Sequence, residues 1–157
     1  MGAVCEATRA GGLLAGSEAL VVMLSGGRDS VCLLDVGVAL KGPGRVSALH
    51  VNYGLRERAD GDERHCRELC ERLGVPLEVV RASPPRHGES GNLQAWAREL
   101  RYGAAERLAR ERDALFATGH TASDQVETIL YRLAASPGRR ALLGMVAREG
   151  RLVRPLL

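Results

Sequence analysis

VVMLSGGRDSVCLL, residues 21–34, changes character twice, and its reading decides the fold. The run from 19 to 24 is continuously apolar and β-branched, the pattern of a strand buried on both faces. Beyond the break, Val31, Leu34 and Val38 recur at helical spacing. Between them Gly26 and Gly27 let the backbone bend and approach a ligand closely. Asp29 and Ser30 stand where a helix start favours side-chain oxygens. A buried strand, a glycine turn and a helix start aim free N–H groups and the positive end of a helix dipole at one point. That is a cradle for phosphate.

The rest of the chain sets bounds. Its 157 residues suffice for one domain with a core that needs no disulfide or metal staple. Hydrophobic residues at 45% and charged ones at 26% are ordinary for a globular protein. The net charge of +3 does not by itself point to nucleic acid. Lys41 is the only lysine, so the positive charge is almost all guanidinium. Arginine suits bidentate phosphate contacts, although genomic composition produces the same bias. The N-terminus has no long apolar run, so neither a signal peptide nor a membrane anchor is expected. Cys5, Cys32, Cys66 and Cys70 follow no secreted framework, and the four-residue step from Cys66 to Cys70 is not that of a zinc or redox pair. They read as small buried or half-buried residues. A cytoplasmic protein with no membrane partner is expected, and its oligomeric state is not fixed by the sequence.

Strand-like and helix-like segments alternate. Strands are expected at 19–24, 46–52, 77–81, 114–118 and 151–157, with helices at 29–40 and 60–73, one capped by Asn92, and one after 118. Gly42-Pro43-Gly44 makes a turn, Gly74 and Pro76 stop a helix, and 82–91 reads as a mobile loop. Leu93, Trp96, Ala97, Leu100 and Ala104 form one apolar stripe; Val126, Ile129, Leu130 and Leu133 form another, expected to be buried. The implied fold is α/β, a doubly wound, Rossmann-like, five-stranded parallel sheet flanked by helices. Its ligands belong beyond the carboxyl ends of the strands.

The cradle has neither the lysine of a GxxxxGK[ST] loop nor the spacing of GxGxxG. Ser25-Gly26-Gly27-Arg28-Asp29-Ser30 instead supplies two hydroxyls, flexible backbone and one acid. An acid among phosphates is repulsive unless a cation bridges them, so Asp29 implies Mg²⁺; as an isolated residue it would also serve as a plain cap. Gln94, Arg98 and Arg101 share one helix face, a phosphate-holding face or a solvated one. Asp124 and Glu127 open a helix beside the expected ligand edge, where acids also suit the helix dipole. His120 follows the same strand, and His50 and Asn52 end the second one.

The SGGxDS loop resembles the signature of the N-type ATP pyrophosphatases, which split ATP between its α- and β-phosphates. Within that group the chain is similar to the tRNA(Ile)-lysidine synthetase family from about residue 19 to its end. The matching stretches are ALHVNYGLR, QAWARELRY, ATGHTASDQVETILYRL, ALLGM and RLVRPLL. The resemblance implies an adenine nucleotide alpha hydrolase-like fold. It also implies a PP-loop catalytic domain over 19–157 after an N-terminal extension at 1–18, without the helical region by which the family helps hold tRNA.

The implied reaction is a ligase reaction that uses ATP and Mg²⁺. It joins free L-lysine to C2 of cytidine at the first anticodon position of the tRNA(Ile) with a CAU anticodon, through an adenylated tRNA. Carried over residue by residue, Ser25, Gly26, Gly27, Arg28, Asp29, Ser30, His50, Asn52 and His120 bind ATP, and Asp29 holds the metal. Asp29, Asp124, Arg98 and Arg101 serve catalysis, and Asp124 with Glu127 receives lysine. The chain departs from the family pattern at Tyr53, where a second histidine is usual. It departs again at Thr121 and Ser123, where the usual His-His-x-Asp-Asp loses an imidazole and a carboxylate, and in the connection at 136–140. Alternatives are a tRNA thiolation enzyme of the same superfamily and a nucleotide-binding domain without turnover.

Overall fold

The computed structural model describes residues 2–55, 58–83, 92–136 and 138–157, with the side chains at 140 and 141 also left aside. Most of the loop expected at 82–91 therefore lies outside the described residues. Strand β1 (Ala19–Met23) occupies the middle of the sheet, and Leu20, Val21 and Val22 have no exposed surface. Alternation along the strand divides the core. Leu20, Val22 and Leu24 pack with Leu33 and Leu34 of α2 (Arg28–Lys41) and with Cys66, Leu69 and Cys70 of α3 (Ala59–Leu73). Val21 and Met23 face the other way, against Ala104, Ala105, Leu108 and Ala109 of α4 (Leu93–Glu111). The sheet is thus covered on both faces, and that coverage explains the unbroken apolar run in β1.

β2 (Val46–Asn52) and β3 (Leu77–Arg81) extend the sheet on one side of β1. The chain then returns through α4 to lay β4 (Ala114–Ala117) parallel to β1 on its other side. The crossover reverses direction between β1 and β4, which opens a crevice at their carboxyl ends. Local signals hold where they were expected. Asn92 Oδ1 accepts from Gln94 N and Ala95 N at the start of α4. Gly74 ends α3 at φ 65°. A further helix, α1 (Gly2–Ala10), precedes the sheet and touches α2. No helix among the described residues is long and apolar enough to cross a membrane.

Two expectations need correction. The last strand is not a single parallel one. Residues 148–153 fold back as β5 (Arg148–Glu149) and β6 (Leu152–Val153), antiparallel to each other around Gly150, while β6 runs parallel to β4. The order is β3-β2-β1-β4-β6-β5, six strands rather than five. Arg154 N donates back to Ala147 O (2.8 Å), which closes the hairpin where a longer strand was read.

The second correction concerns α5 (Ala122–Ala135), which has no buried residue. Ile129 and Leu133 are partly covered, but Val126 and Leu130 are 56% and 61% exposed. The partly covered side of the helix also carries Gln125, which is bonded to the segment that follows. Gln125 Nε2 donates to Met145 O (3.0 Å) and its Oε1 accepts from Met145 N (2.6 Å), while Arg132 donates to Gly144 O (2.8 Å).

A buried carboxylate ties the far edge of the sheet together. Glu63 of α3 is 2% exposed and accepts from both Arg67 and Arg81, bidentately from Arg81 (2.9 and 3.0 Å). It also accepts from Asn52 Nδ2 (3.1 Å). Asn52 and Arg81 are register partners, so Glu63 pins the ends of β2 and β3 with one group. The Arg81 bond, then that from Asn52, hold its carboxyl down at about 2.

Candidate active site

The 25–30 loop stands at the carboxyl end of β1 and is braced from within. Ser30 Oγ donates to Gly27 O (2.8 Å) and stands 3.0 Å from Ser25 Oγ, and Ser25 N donates to Ser30 Oγ (3.2 Å). Gly26 has φ 86°, a left-handed backbone that favours glycine, and α3 closes behind it with Cys66 Sγ 3.4 Å from where a Cβ would stand. Gly27 caps α2 without a side-chain bond, so the first N–H groups of the helix face the crevice. Asp29 carries a half-exposed carboxylate beside this opening and pairs with the exposed Arg28 (3.3 Å). Backbone donors plus one open carboxylate fit a phosphate bridged by Mg²⁺, which keeps waters and takes one or two protein carboxylates.

The second wall comes from β2. His50 Nδ1 lies 2.8 Å from Leu24 O, and a carbonyl only accepts, so this nitrogen carries the proton. His50 is buried and thereby tied to the start of the loop. Asn52 is fully engaged: Nδ2 donates to Asp60 (3.0 Å) and to Glu63, and Oδ1 accepts from Gly54 N (3.0 Å). The Asn52 side chain therefore holds the end of β2 in place.

The third wall follows β4. His120 Nδ1 and Thr118 Oγ1 are 2.7 Å apart. Burial draws the imidazole below its ordinary value, aided by the Arg154 charge and opposed by Asp124. Thr121 precedes α5 and donates from its N (2.6 Å) and Oγ1 (2.9 Å) to Asp124 Oδ2. The Thr121 backbone bond, ahead of its hydroxyl, keeps the Asp124 carboxyl below the usual range. The departure at Thr121 thus gains a helix start that fixes the acid.

Gly119 lies between these groups and against α2. A Cβ there would meet Asp29 C, Asp29 O and Ser30 N, all at 3.0 Å. Backbone cannot rotate away as a side chain end can. Gly119→Ala is therefore expected to push the first turn of α2 outward, costing about 1–3 kcal/mol of stability. Nucleotide affinity should fall with it. Urea unfolding and calorimetric ATP titration check this; unchanged values in both would place the Gly119 backbone outside the site's architecture.

The fourth wall is α4. Tyr102 presents its ring to Arg98 and Arg101, whose guanidinium carbons stand 4.7 and 5.7 Å from the ring centroid. Arg101 Nε and the Tyr102 hydroxyl are buried without a partner among the described residues. Tyr53 donates to Ala97 O (3.1 Å) and meets Trp96 edge-on, so the residue in the usual histidine position anchors α4.

These walls enclose a cleft of about 600 Å³. Ser25, Gly27, Arg28, Asp29, Ser30, His50, Asn52, Arg101, His120 and Asp124 line it. Three expected site residues stand apart. Gly26 turns toward α3, Arg98 lies over the Tyr102 ring without lining the cleft, and Glu127 is exposed one turn along α5 from Asp124. Tyr102, Thr118, Gly119, Tyr53 and Asp62 also line the cleft and were missed. Tyr102 and Gly119 sat inside recognised stretches without a signal of their own, since each acts through contacts distant in sequence. Cys66 and Cys70 are buried, and burial first of all pushes their thiols up to about 12 and 11, the inert residues expected.

A family model described as a PP-loop domain matches residues 6–157. The chain belongs to the PP-loop family. This is an ATP-binding family, which implies ATP as a ligand. The tRNA(Ile)-lysidine synthase of Thermus thermophilus is 42% identical over 151 residues, covering 92% of this chain and 28% of that protein. The one from Pseudomonas fluorescens is 38% identical, covering 87% and 31%. The chain therefore spans about a third or less of the curated relatives it matches. Among solved structures, a U34-tRNA thiolase from Methanococcus maripaludis superposes with a TM-score of 0.77 at 17% identity, covering 98% of this chain and 58% of that one. An NH3-dependent NAD synthetase from Campylobacter jejuni gives 0.61 at 14% identity, covering 82% and 57%. Both likenesses are of fold.

Proposed function

We propose that this PP-loop domain is the catalytic part of a lysidine-forming ligase. It uses ATP to activate cytidine at the first anticodon position of the tRNA(Ile) with a CAU anticodon. The C2 oxygen of that cytidine attacks the α-phosphate and pyrophosphate leaves. The ε-amine of free L-lysine then attacks C2, the C–O bond to AMP breaks, and the amine loses its proton. The observation that carries this reading is one cleft lined by the 25–30 loop together with His120 and Asp124, in a chain about 40% identical to lysidine synthases over about 90% of its length. The PP-loop and Arg101 suit the phosphates, and Asp124 suits the lysine ammonium. Arg98, one turn before Tyr102 on α4, suits tRNA phosphate. Mg²⁺, when bound at Asp29, would offset charge on the leaving pyrophosphate. A cytoplasmic site of action goes with such a substrate.

The decisive assay supplies labelled ATP, lysine and tRNA, and follows AMP. Release that needs both lysine and the CAU tRNA is expected; release needing a sulfur donor instead would favour thiolation, and none with any RNA would favour a domain without turnover. A variant sharpens the roles. Asp124→Asn keeps an acceptor for Thr121 but loses the charge, so the KM for lysine should rise about tenfold while that for ATP holds. Glu127→Gln should change the lysine KM less, because Glu127 stands outside the cleft lining. Equal rises for lysine and ATP in Asp124→Asn would assign Asp124 to the fold instead.

A further inference from the structure

Arg154, at the exit of β6, is a poorly paired buried cation. Its side chain is 6% exposed. One Nη donates to Val146 O (2.6 Å), the other lies 4.0 Å from the largely exposed Glu149 carboxylate, and Nε has no partner among the described residues. A buried charge so weakly compensated is costly, and its cost calls for a role. Strand register shows where the charge acts. Val153 pairs with Ala117 and accepts from Thr118 N (3.2 Å), so Arg154 emerges beside Thr118, whose hydroxyl holds His120. The Val146 carbonyl it grips follows Met145, which Gln125 of α5 clamps through both N and O. Arg154 therefore joins the sheet edge, the 145–147 segment and the helix carrying Asp124.

We propose that Arg154 is a positioning residue of the cleft: its buried guanidinium stands behind the Thr118–His120 pair and locks the 145–147 segment against α5. Four charged groups act on His120: Arg154 from beyond β6, Arg98 and Arg101 from α4, and Asp124 from α5, the last alone favouring the protonated ring. Burial is the largest influence, and Arg154 is the strongest of the charges acting with it. A neutral ring beside Asp124 retains a lone pair for the proton that an attacking amine gives up. That use rests on the proposed ligase reading; the charge state of the ring does not.

The test is an NMR titration of the histidine signals in the full chain without nucleotide or RNA, with His120 identified by its loss in His120→Gln. In the wild type the His120 midpoint is expected below 6.5. Arg154→Gln, which keeps a donor for Val146 O, should raise it by about half a unit or more, whereas Arg154→Lys should leave it nearly unchanged. If the glutamine variant does not fold, Glu149→Gln is read in its place. It removes the carboxylate 4.0 Å from Arg154 and should lower the His120 midpoint further. A midpoint indifferent to the charge at 154, moved alike by glutamine and lysine, or raised by Glu149→Gln overturns the proposal. Because no substrate is present, failure of the ligase reading would appear only in the AMP assay.

Discussion

Asp29→Asn is expected to leave the fold intact and to cut Mg²⁺-dependent pyrophosphate release on the order of a hundredfold or more. The carboxylate is 46% exposed at the mouth of the loop, and Arg28, its charged partner among the described residues, is itself 93% exposed. It therefore does little for stability, and asparagine retains its shape and an acceptor oxygen at a helix start. What is lost is the negative charge that recruits a divalent cation to the phosphates. The variant should unfold at the same urea concentration as the wild type. Its residual pyrophosphate release should lose most of its dependence on Mg²⁺ concentration. Release at the wild-type rate would remove Asp29 from the reaction and return it to the role of a helix-start acid.

Glu63→Gln should be the most destabilising conservative change on the β2–β3 side. The carboxyl sits at about 2 against an ordinary 4.5, so its charged form belongs to the folded state. Such a group contributes fully above pH 4.5, and its contribution fades as pH falls from there through about 2. The shift corresponds to at most about 3 kcal/mol, less after allowance for the exposure of Arg67 and Arg81. Glutamine keeps the shape but leaves two guanidiniums facing a neutral amide and offers Asn52 a weaker acceptor. Urea unfolding at pH 7 should show a loss of about 2–3 kcal/mol that shrinks markedly at pH 3. An equal loss at both values would mean that packing, not charge, carries the role of Glu63. Because Glu63 also holds Asn52, ATP binding should weaken in parallel with the stability.

The features that sequence alone determined are those whose cause is local. Residues 19–34 specify a strand, a turn and a helix because the apolar run, Gly26 and the first turn of α2 act on their own backbone. Asn92 caps α4 by reaching two and three residues ahead, and Gly74 ends α3 through its own φ. Residues 19–34 also located the phosphate cradle, and the family motif added ATP as its expected ligand. Tertiary structure decided whatever depends on what lies opposite. The stripe on α5 has sound helical periodicity, but periodicity names a face without naming its partner, and Val126 and Leu130 on that stripe stay exposed. The strand read at 151–157 shortened because Arg154 bonds back across Gly150 to Ala147. Glu63 reads in sequence as one more acid on a charged helix; only the meeting of β2, β3 and α3 makes it a buried clasp. Gly119 is constrained by the backbone of Asp29 and Ser30, and Arg154 reaches His120 through a neighbouring strand. Periodicity and capping arise within a few residues of chain, whereas burial and electrostatic environment are properties of chain segments brought together by folding.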